Sequence, residues 1–335
     1  MPADTGDEAC DPVEEQVGEG GDGGEIGKAD EDEVKEAEVP KSKPQPRMPT
    51  AEERRAHELT HCPFRSWCMH CVRGQAADYP HRSVTGEGAE SDIPRVIMDY
   101  CFFKEDIKKK SDDHTESEEA RMSLTALVMK ETMCGSVWAY ALKSKSVNED
   151  PWIVDQIIDD LATVGMSKER IIIKSDQEPA ITELQTEIAR RRGDYGTGLE
   201  NSKVGDSNNN GKIERAIRDV GGIVRTLKSF LSEKIGTAVT LDMMIVPWLI
   251  RHASYIITRS RVRDHGRTSL RLMKGRVVNT EMLPFGETVL FKIPKTGHAV
   301  GSFEERWESG VWIGCTIRDG MHLIGTASGV FKVGT

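Results

Sequence analysis

Long apolar runs are missing from this chain of 335 residues. Nowhere do 18 hydrophobic residues follow one another, which excludes a membrane-spanning helix. The N-terminus lacks the basic-then-apolar pattern of a secretory signal, so an intracellular protein is expected. Seven cysteines, an odd number in a chain this long, do not read as a disulfide framework. No Ser/His/Asp signature and no Gly-rich phosphate loop of the Walker or dinucleotide type is present. An overall basic excess is missing too: 45 Lys+Arg stand against 55 Asp+Glu, a net charge of −10. Residues 1–47 hold 15 acidic and 5 basic side chains and so carry that whole deficit. The rest of the chain has 40 of each sign, so the acidic pI of the whole describes the tail and does not argue against a nucleic-acid partner for the remainder.

What is present falls into an ordered series. Residues 1–47 are rich in Gly, Glu, Asp and Pro and cannot bury enough apolar surface to offset ordering entropy, so a disordered acidic tail is expected. Order begins at Thr50-Ala51-Glu52-Glu53, a capping-box pattern that predicts a helix through about His61. A Cys-containing knuckle over 62–71 and a Pro/Gly/Ser/Glu linker over 78–93 follow. Residues 94–103 read as a buried strand, 104–120 as a charged, solvated loop, and 123–129 and 135–142 as a hairpin pair. Apolar residues at 153, 154, 157, 158 and 161 predict a helix over 152–164. Residues 171–176 are a β-branched run ending on a carboxylate, 180–192 read as helix, and 193–211 as a mobile Gly/Asn/Ser stretch. A long helix is expected from 210 to 234. Together these describe an α/β layer fold with a mixed sheet over 94–276. From Leu283 to Thr335 the short β runs 288–293, 310–315 and 322–333 suggest a small all-β module of barrel type, with no obvious closing segment, as expected of a piece of a longer chain.

Three carboxylates stand out. Asp99 and Asp176 each end a predicted buried strand, and Glu214 opens the long helix. Brought together, they would repel one another unless divalent cations neutralised them, and two such ions suit phosphodiester chemistry. The alternative is that strand-end aspartates merely cap strands or pair with surface bases. On the long helix, Ile213, Ile217, Val220, Val224, Leu227 and Leu231 form one apolar stripe. Lys212, Arg215, Arg218, Arg225 and Lys228 lie away from it, as a DNA-backbone grip would require. Residues 211–276 hold 14 Lys+Arg against 5 Asp+Glu. Upstream, His57 and His61 at i, i+4 and Cys68-x-x-Cys71 supply a Cys2His2 set for a structural Zn²⁺, with Cys62 and His70 as spare candidates. Phe64 and Trp67 read as packing residues.

The order His-His-Cys-Cys, strand-Asp, strand-Asp and Gly-x-x-Glu-Arg resembles the integrase of long-terminal-repeat retrotransposons, copia type, over residues 50–335. The pieces that carry the resemblance are Met98-Asp99-Tyr100, Lys174-Ser175-Asp176-Gln177-Glu178-Pro179 and Asn210-Gly211-Lys212-Ile213-Glu214-Arg215, with 37 residues between Asp176 and Glu214. It implies an RNase H-like mixed sheet flanked by helices, preceded by a His/Cys zinc-binding segment at 48–77 and followed by the β module. It further implies that Asp99, Asp176 and Glu214 hold two Mg²⁺ or Mn²⁺ ions. The implied activity is that of a polynucleotidyl transferase or endonuclease, acting on element ends and target DNA as a homo-oligomer, in the nucleus and away from membranes. Two departures stand: the spacer between His61 and Cys68 is short for retroviral-type integrases, and Asp176-Gln177-Glu178 replaces the usual Asp-Asn-Gly. The rivals are an RNase H-like nuclease without joining activity and a non-enzymatic nucleic-acid-binding remnant.

Overall fold

Strands that are apolar at nearly every position need cover on both faces, and that requirement sets the architecture. The computed structural model describes residues 47–75, 93–107, 120–201, 207–263, 266–293, 303 and 305–334. The acidic tail, nearly all of the expected linker and most of the charged insertion lie outside these residues. The chain divides between Gln45 and Pro46, and every described residue belongs to the second unit.

The elements in order are α1 (Ala51–Glu58), α2 (Met69–Gln75), β1 (Arg95–Ile107), β2 (Ala120–Glu131), β3 (Val137–Leu142), α3 (Trp152–Thr163), β4 (Ile171–Ser175) and α4 (Pro179–Arg192). They continue with β5 (Thr197–Asn201), α5 (Ser207–Ile235), α6 (Val246–Ser260), α7 (Ser269–Lys274), β6 (Thr288–Lys292), β7 (Trp307–Cys315), β8 (His322–Thr326) and β9 (Gly329–Val333). Strands β1 to β5 form one mixed sheet in the order β3-β2-β1-β4-β5. The pairs β1/β2 and β2/β3 are antiparallel, and β1/β4 and β4/β5 parallel. This is the expected RNase H-like mixed α/β sheet flanked by helices.

Alternation along the strands divides the core in two. Val96, Met98, Leu127, Met129, Trp138 and Tyr140 point to one face, beneath Ile153, Ile157 and Leu161 of α3 and Ile181, Leu184 and Ile188 of α4. Ile97, Ala126, Val128 and Ala139 point to the other, beneath α5 and α6. The apolar stripe of α5 is seated there, with Val220, Leu227 and Leu231 fully buried.

Several expectations need correction. Strand β1 runs to Ile107 and β2 starts at Ala120, so the ends of the expected solvated loop are strand. Residues 197–201, read as part of a mobile stretch, form β5, a parallel edge strand on β4. Its mostly exposed positions and internal Gly198 left no strand signal. The C-terminal module is a separate four-stranded antiparallel sheet, β6-β7-β8-β9, and the run 322–333 is a hairpin of β8 and β9. Phe291, Trp312, Cys315 and Ile324 of this sheet pack with Tyr255 of α6.

Helix α2 lies against α5 at backbone distance. A Cβ on Gly74 would fall 2.3 Å from Thr226 Oγ1 and 2.6 Å from Thr226 N, and one on Gly222 would fall 3.1 Å from Gln75 Cγ. Close packing therefore accounts for glycine at 222 of the long helix, despite a propensity cost of about 1 kcal/mol. Gly74→Ala should lower stability by about 1–3 kcal/mol through overpacking. Gly211→Ala, whose Cβ would meet nothing within 4 Å, should leave stability unchanged or raise it by up to about 1 kcal/mol. Chemical denaturation of both variants checks this, and equal small effects would show that the α2–α5 contact is not tight.

Candidate active site and His/Cys centre

The parallel register pairs Arg95 with Ile172 and Ile97 with Lys174. Two residues further along each strand direction stand Asp99 and Asp176, at matching positions and on the sheet face that α5 covers. Both are half-buried. They line one cleft with Ile97, Met98, Lys174, Ser175 and Ile213. Burial first, and the neighbouring Asp176 carboxylate second, push the Asp99 carboxyl up to about 6. Glu178 adds to that push, while the Tyr100 backbone amide and Lys145 oppose it. Asp176 Oδ1 accepts a hydrogen bond from the Glu178 N–H at 3.1 Å, which fixes its carboxylate over the turn into α4.

Glu214 follows Ile213 on α5 and is exposed. Among the described residues, the group of three or more His, Cys, Asp or Glu whose ligand atoms gather within 4.8 Å is the His/Cys set alone. Asp99 and Asp176 are thus brought to one cleft, which Ile213 lines and Glu214 does not, and Glu214 closes no ligand group. Two neighbours escaped the sequence reading. Lys145 ion-pairs with Glu178 and lies over the rings of Tyr100 and Phe102, at 5.3 and 5.0 Å. Glu178 holds the N-cap position ahead of Pro179 and could have been found as a helix start. The loop bearing Lys145 gave no such signal; it is shaped by Asp150, which accepts from the N–H groups of Lys143 and Ser144.

The basic residues of α5 divide. Lys212, Arg215 and Arg218 are exposed. Arg225 donates from Nε to the Gly74 carbonyl at 3.0 Å, and Lys228 pairs with Glu105 at 2.7 Å.

The capping box at Thr50 forms as expected, with Glu53 N donating to Thr50 Oγ1 and Thr50 N to Glu53 Oε2. Helix α1 stops at Glu58, short of the expected end, and His61 takes a left-handed turn at φ 50°. Its N–H still reaches the His57 carbonyl at 2.7 Å, so both rings face one point. Cys71 comes from α2, a helix where only a knuckle was expected. His57 Nε2 lies 3.2 Å from Cys71 Sγ, and His61 Nδ1 lies 3.5 Å from Cys68 Sγ and 3.9 Å from Cys71 Sγ. A tetrahedral Zn²⁺ with bonds of about 2.0 Å to nitrogen and 2.3 Å to sulfur has edges of about 3.3–3.8 Å, so the set could bind zinc. Burial keeps both imidazoles neutral, as ligation requires, pushing His57 down to about 4 and His61 to about 3. Burial likewise pushes the Cys71 thiol up to about 12, the direction that a bound cation reverses.

The spare candidates are used elsewhere. Cys62 packs against the α5–α6 core. His70 bonds Ser229 Oγ at 2.9 Å and faces Glu233 at 3.6 Å. Trp67 packs edge-on against His57 at 4.9 Å, whereas Phe64, expected to pack, is 44% exposed. Gln75 ties the centre to α5, reaching Cys71 Sγ at 3.9 Å and Thr226 Oγ1 at 3.0 Å.

No protein-family model and no curated protein matches the chain. Among solved structures, it is similar to the HTLV-2 integrase catalytic core domain in complex with magnesium, a trimeric form, at 16% identity and TM-score 0.36, over 55% of this chain and 99% of that one. It is similar to a simian T-cell lymphotropic virus intasome in complex with a PP2A regulatory subunit at 16% identity and TM-score 0.39, over 79% and 84% of the two chains. For the BIV integrase catalytic core domain the figures are 16%, 0.34, 54% and 93%. Likeness at this level says nothing of function. Among the described residues no helix is long and apolar enough to cross a membrane.

Two outcomes are expected of these sites. Asp99 has a raised folded-state pKa, so its ionised form weakens the fold as pH rises from about 4 through 6. Asp99→Asn should therefore raise the melting temperature at pH 7.5 without added Mg²⁺ and leave it unchanged at pH 4; a drop at pH 7.5 would contradict this. In a Co²⁺ or Zn²⁺ titration, the chain should take one ion at the His/Cys centre. Cys71→Ser should lose that ion with its sulfur-to-cobalt absorption, and Cys62→Ser should keep both; the reverse pattern would reassign the ligands.

Proposed function

We propose that this chain is a retrotransposon integrase, a metal-dependent polynucleotidyl transferase for 3′-end processing and strand transfer. The observation that supports this best is that Asp99 on β1 and Asp176, just past the end of the parallel neighbour β4, line one cleft with Ile213 of the helix that carries Glu214. The all-oxygen donors suit Mg²⁺ or Mn²⁺. Like charges held in one cleft, with Asp99 destabilised by its neighbour, suit a cation as well. When bound, a pair of such ions activates the attacking oxygen and stabilises the leaving oxygen.

Hydrolysis of a phosphodiester near each element end frees a 3′-hydroxyl, which then attacks a target phosphodiester. In this reading Asp99, Asp176 and Glu214 supply the donors. Lys145 holds Glu178, and Glu178 holds Asp176 through its N–H, so both act as positioning residues. Lys212, Arg215 and Arg218 would meet the DNA backbone, and Arg225 and Lys228 would join them only on leaving the Gly74 carbonyl and Glu105. His57, His61, Cys68 and Cys71 would hold a structural Zn²⁺ that secures the N-terminal segment on α5. The working form is a homo-oligomer on element ends and target DNA, in the nucleus. The exposure of Glu214 favours a second reading, a nucleic-acid-binding remnant that no longer assembles the third donor.

The test is a branched oligonucleotide mimicking the integration intermediate, incubated with the full chain and Mn²⁺ or Mg²⁺. Resolution and joining should be metal-dependent and fall by about 10²–10³-fold in Asp176→Asn, since metal-ion charge stabilisation supplies several kcal/mol. Cutting without joining would leave a nuclease, and binding with neither would leave the remnant.

A further inference from the structure

A second group of cations, sharing only Arg215 with the α5 residues expected to grip DNA, surrounds Lys130. Lys130 is paired directly opposite Ile97 in the β1/β2 register, and Ile97 lines the carboxylate cleft. Directly paired residues share a face, as do residues two apart along a strand. The Lys130 side chain therefore leaves the sheet on the same side as Asp99, one pleat away on the next strand. Arg263, beyond the end of α6, lays its guanidinium over the β2–β3 turn, where a Cβ on Gly135 would sit 1.0 Å from its Nη1. Gly135 itself has φ 72°. Arg215 follows Glu214 on α5, and Arg261 ends α6 in an ion pair with Asp219.

The four cations come from three separate elements, and burial and mutual repulsion draw the Lys130 ammonium below its usual range. Arg263, Arg215 and Arg261 add to that pull, and Asp219 opposes it. Among the described residues no carboxylate pairs with Lys130, Arg215 or Arg263. Glu131, next to Lys130, is buried and accepts from the backbone N–H groups of Met133 and Cys134. Asp264 lies outside the described residues. A half-buried ammonium beside three guanidiniums, one of them neutralised, is an unfavourable arrangement unless an anion completes it. Arginine forks in a shallow, partly exposed setting match phosphate oxygens.

We propose that Lys130, Arg215, Arg261 and Arg263 form a phosphate-binding surface beside the carboxylate cleft, holding the backbone of a nucleic-acid duplex. The proposal rests on the nucleic-acid reading above and adds to it a track on β2 and the end of α6. Contacts to phosphate alone carry no sequence readout, so this surface sets position and affinity.

The experiment is fluorescence anisotropy of a labelled DNA duplex of arbitrary sequence, titrated with the full chain over a KCl series. Lys130→Ala/Arg263→Ala should make the slope of log K against log salt less negative by about 2, roughly 0.9 for each phosphate that the variant no longer neutralises. Arg271→Ala/Lys292→Ala, on α7 and β6, should leave the slope unchanged. Circular dichroism confirms folding; should the double variant unfold, Arg263→Ala alone, outside the α5 grip, should reduce the slope by about 1. An unchanged slope in a folded variant overturns the proposal, as does a wild-type chain that binds no duplex. If the slope responds but wild-type joining is absent, the integrase reading fails and this surface stands.

Discussion

Two strands running the same way, β1 and β4, pair at only three positions, and that short pairing places both acidic groups of the cleft. Because Ile97 faces Lys174, any residue two steps further on one strand stands beside its counterpart on the other. The parity of the strands then decides the face. Ile171 and Ile173 point to the α3–α4 side and Ile97 to the α5 side, so Asp99 and Asp176 both open towards α5. A one-residue slip of either strand would turn its carboxylate into the apolar layer of α3 and α4. The unbroken apolar runs on both sides of the sheet make such a slip costly, and thereby make the acidic pair possible.

Helix α5 is the second organiser. One stripe of it closes the core over the sheet, and its Gly222–Thr226 surface receives α2. The His/Cys centre is thereby fastened to the helix that carries Glu214. His61 and His70 meet the edge of Phe230 at 5.2 and 5.6 Å, and Arg225 closes the end of α2. A segment of this size has little core of its own, so its order depends on this contact and on whatever closes the four ligands. The same helix therefore serves the sheet on one side and the N-terminal segment on another.

Much of this was legible in the sequence because burial on two faces writes itself as continuous apolar runs and as a helical stripe. The strands bearing Asp99 and Asp176 and the long helix were found within a few residues of their ends. Strand β5 was not, since an exposed edge strand on a parallel sheet needs only backbone pairing and leaves no pattern. The choice of ligands among six His and Cys was also hidden. It turns on Cys62 entering the core and on His70 meeting Ser229, a contact across 159 residues that no local spacing encodes. For the same reason the basic face of α5 read as uniform, while Gly74 and Glu105 in fact occupy Arg225 and Lys228.

Charge is distributed in a way that local stability alone would not favour. The cleft keeps two carboxylates close enough for one to raise the other, and a few residues away Lys130 is crowded by guanidiniums. Each group is strained by its own kind, and neither neutralises the other: Asp219 meets Arg261, and Glu178 meets Lys145, while Asp99 and Lys130 face the same side without pairing. Separate pools of like charge on one face are what a phosphodiester with its metal ions requires, cations of the protein towards the phosphates and carboxylates towards the metal. The proposed nucleic-acid surface would bring an anion and cations to these separate pools.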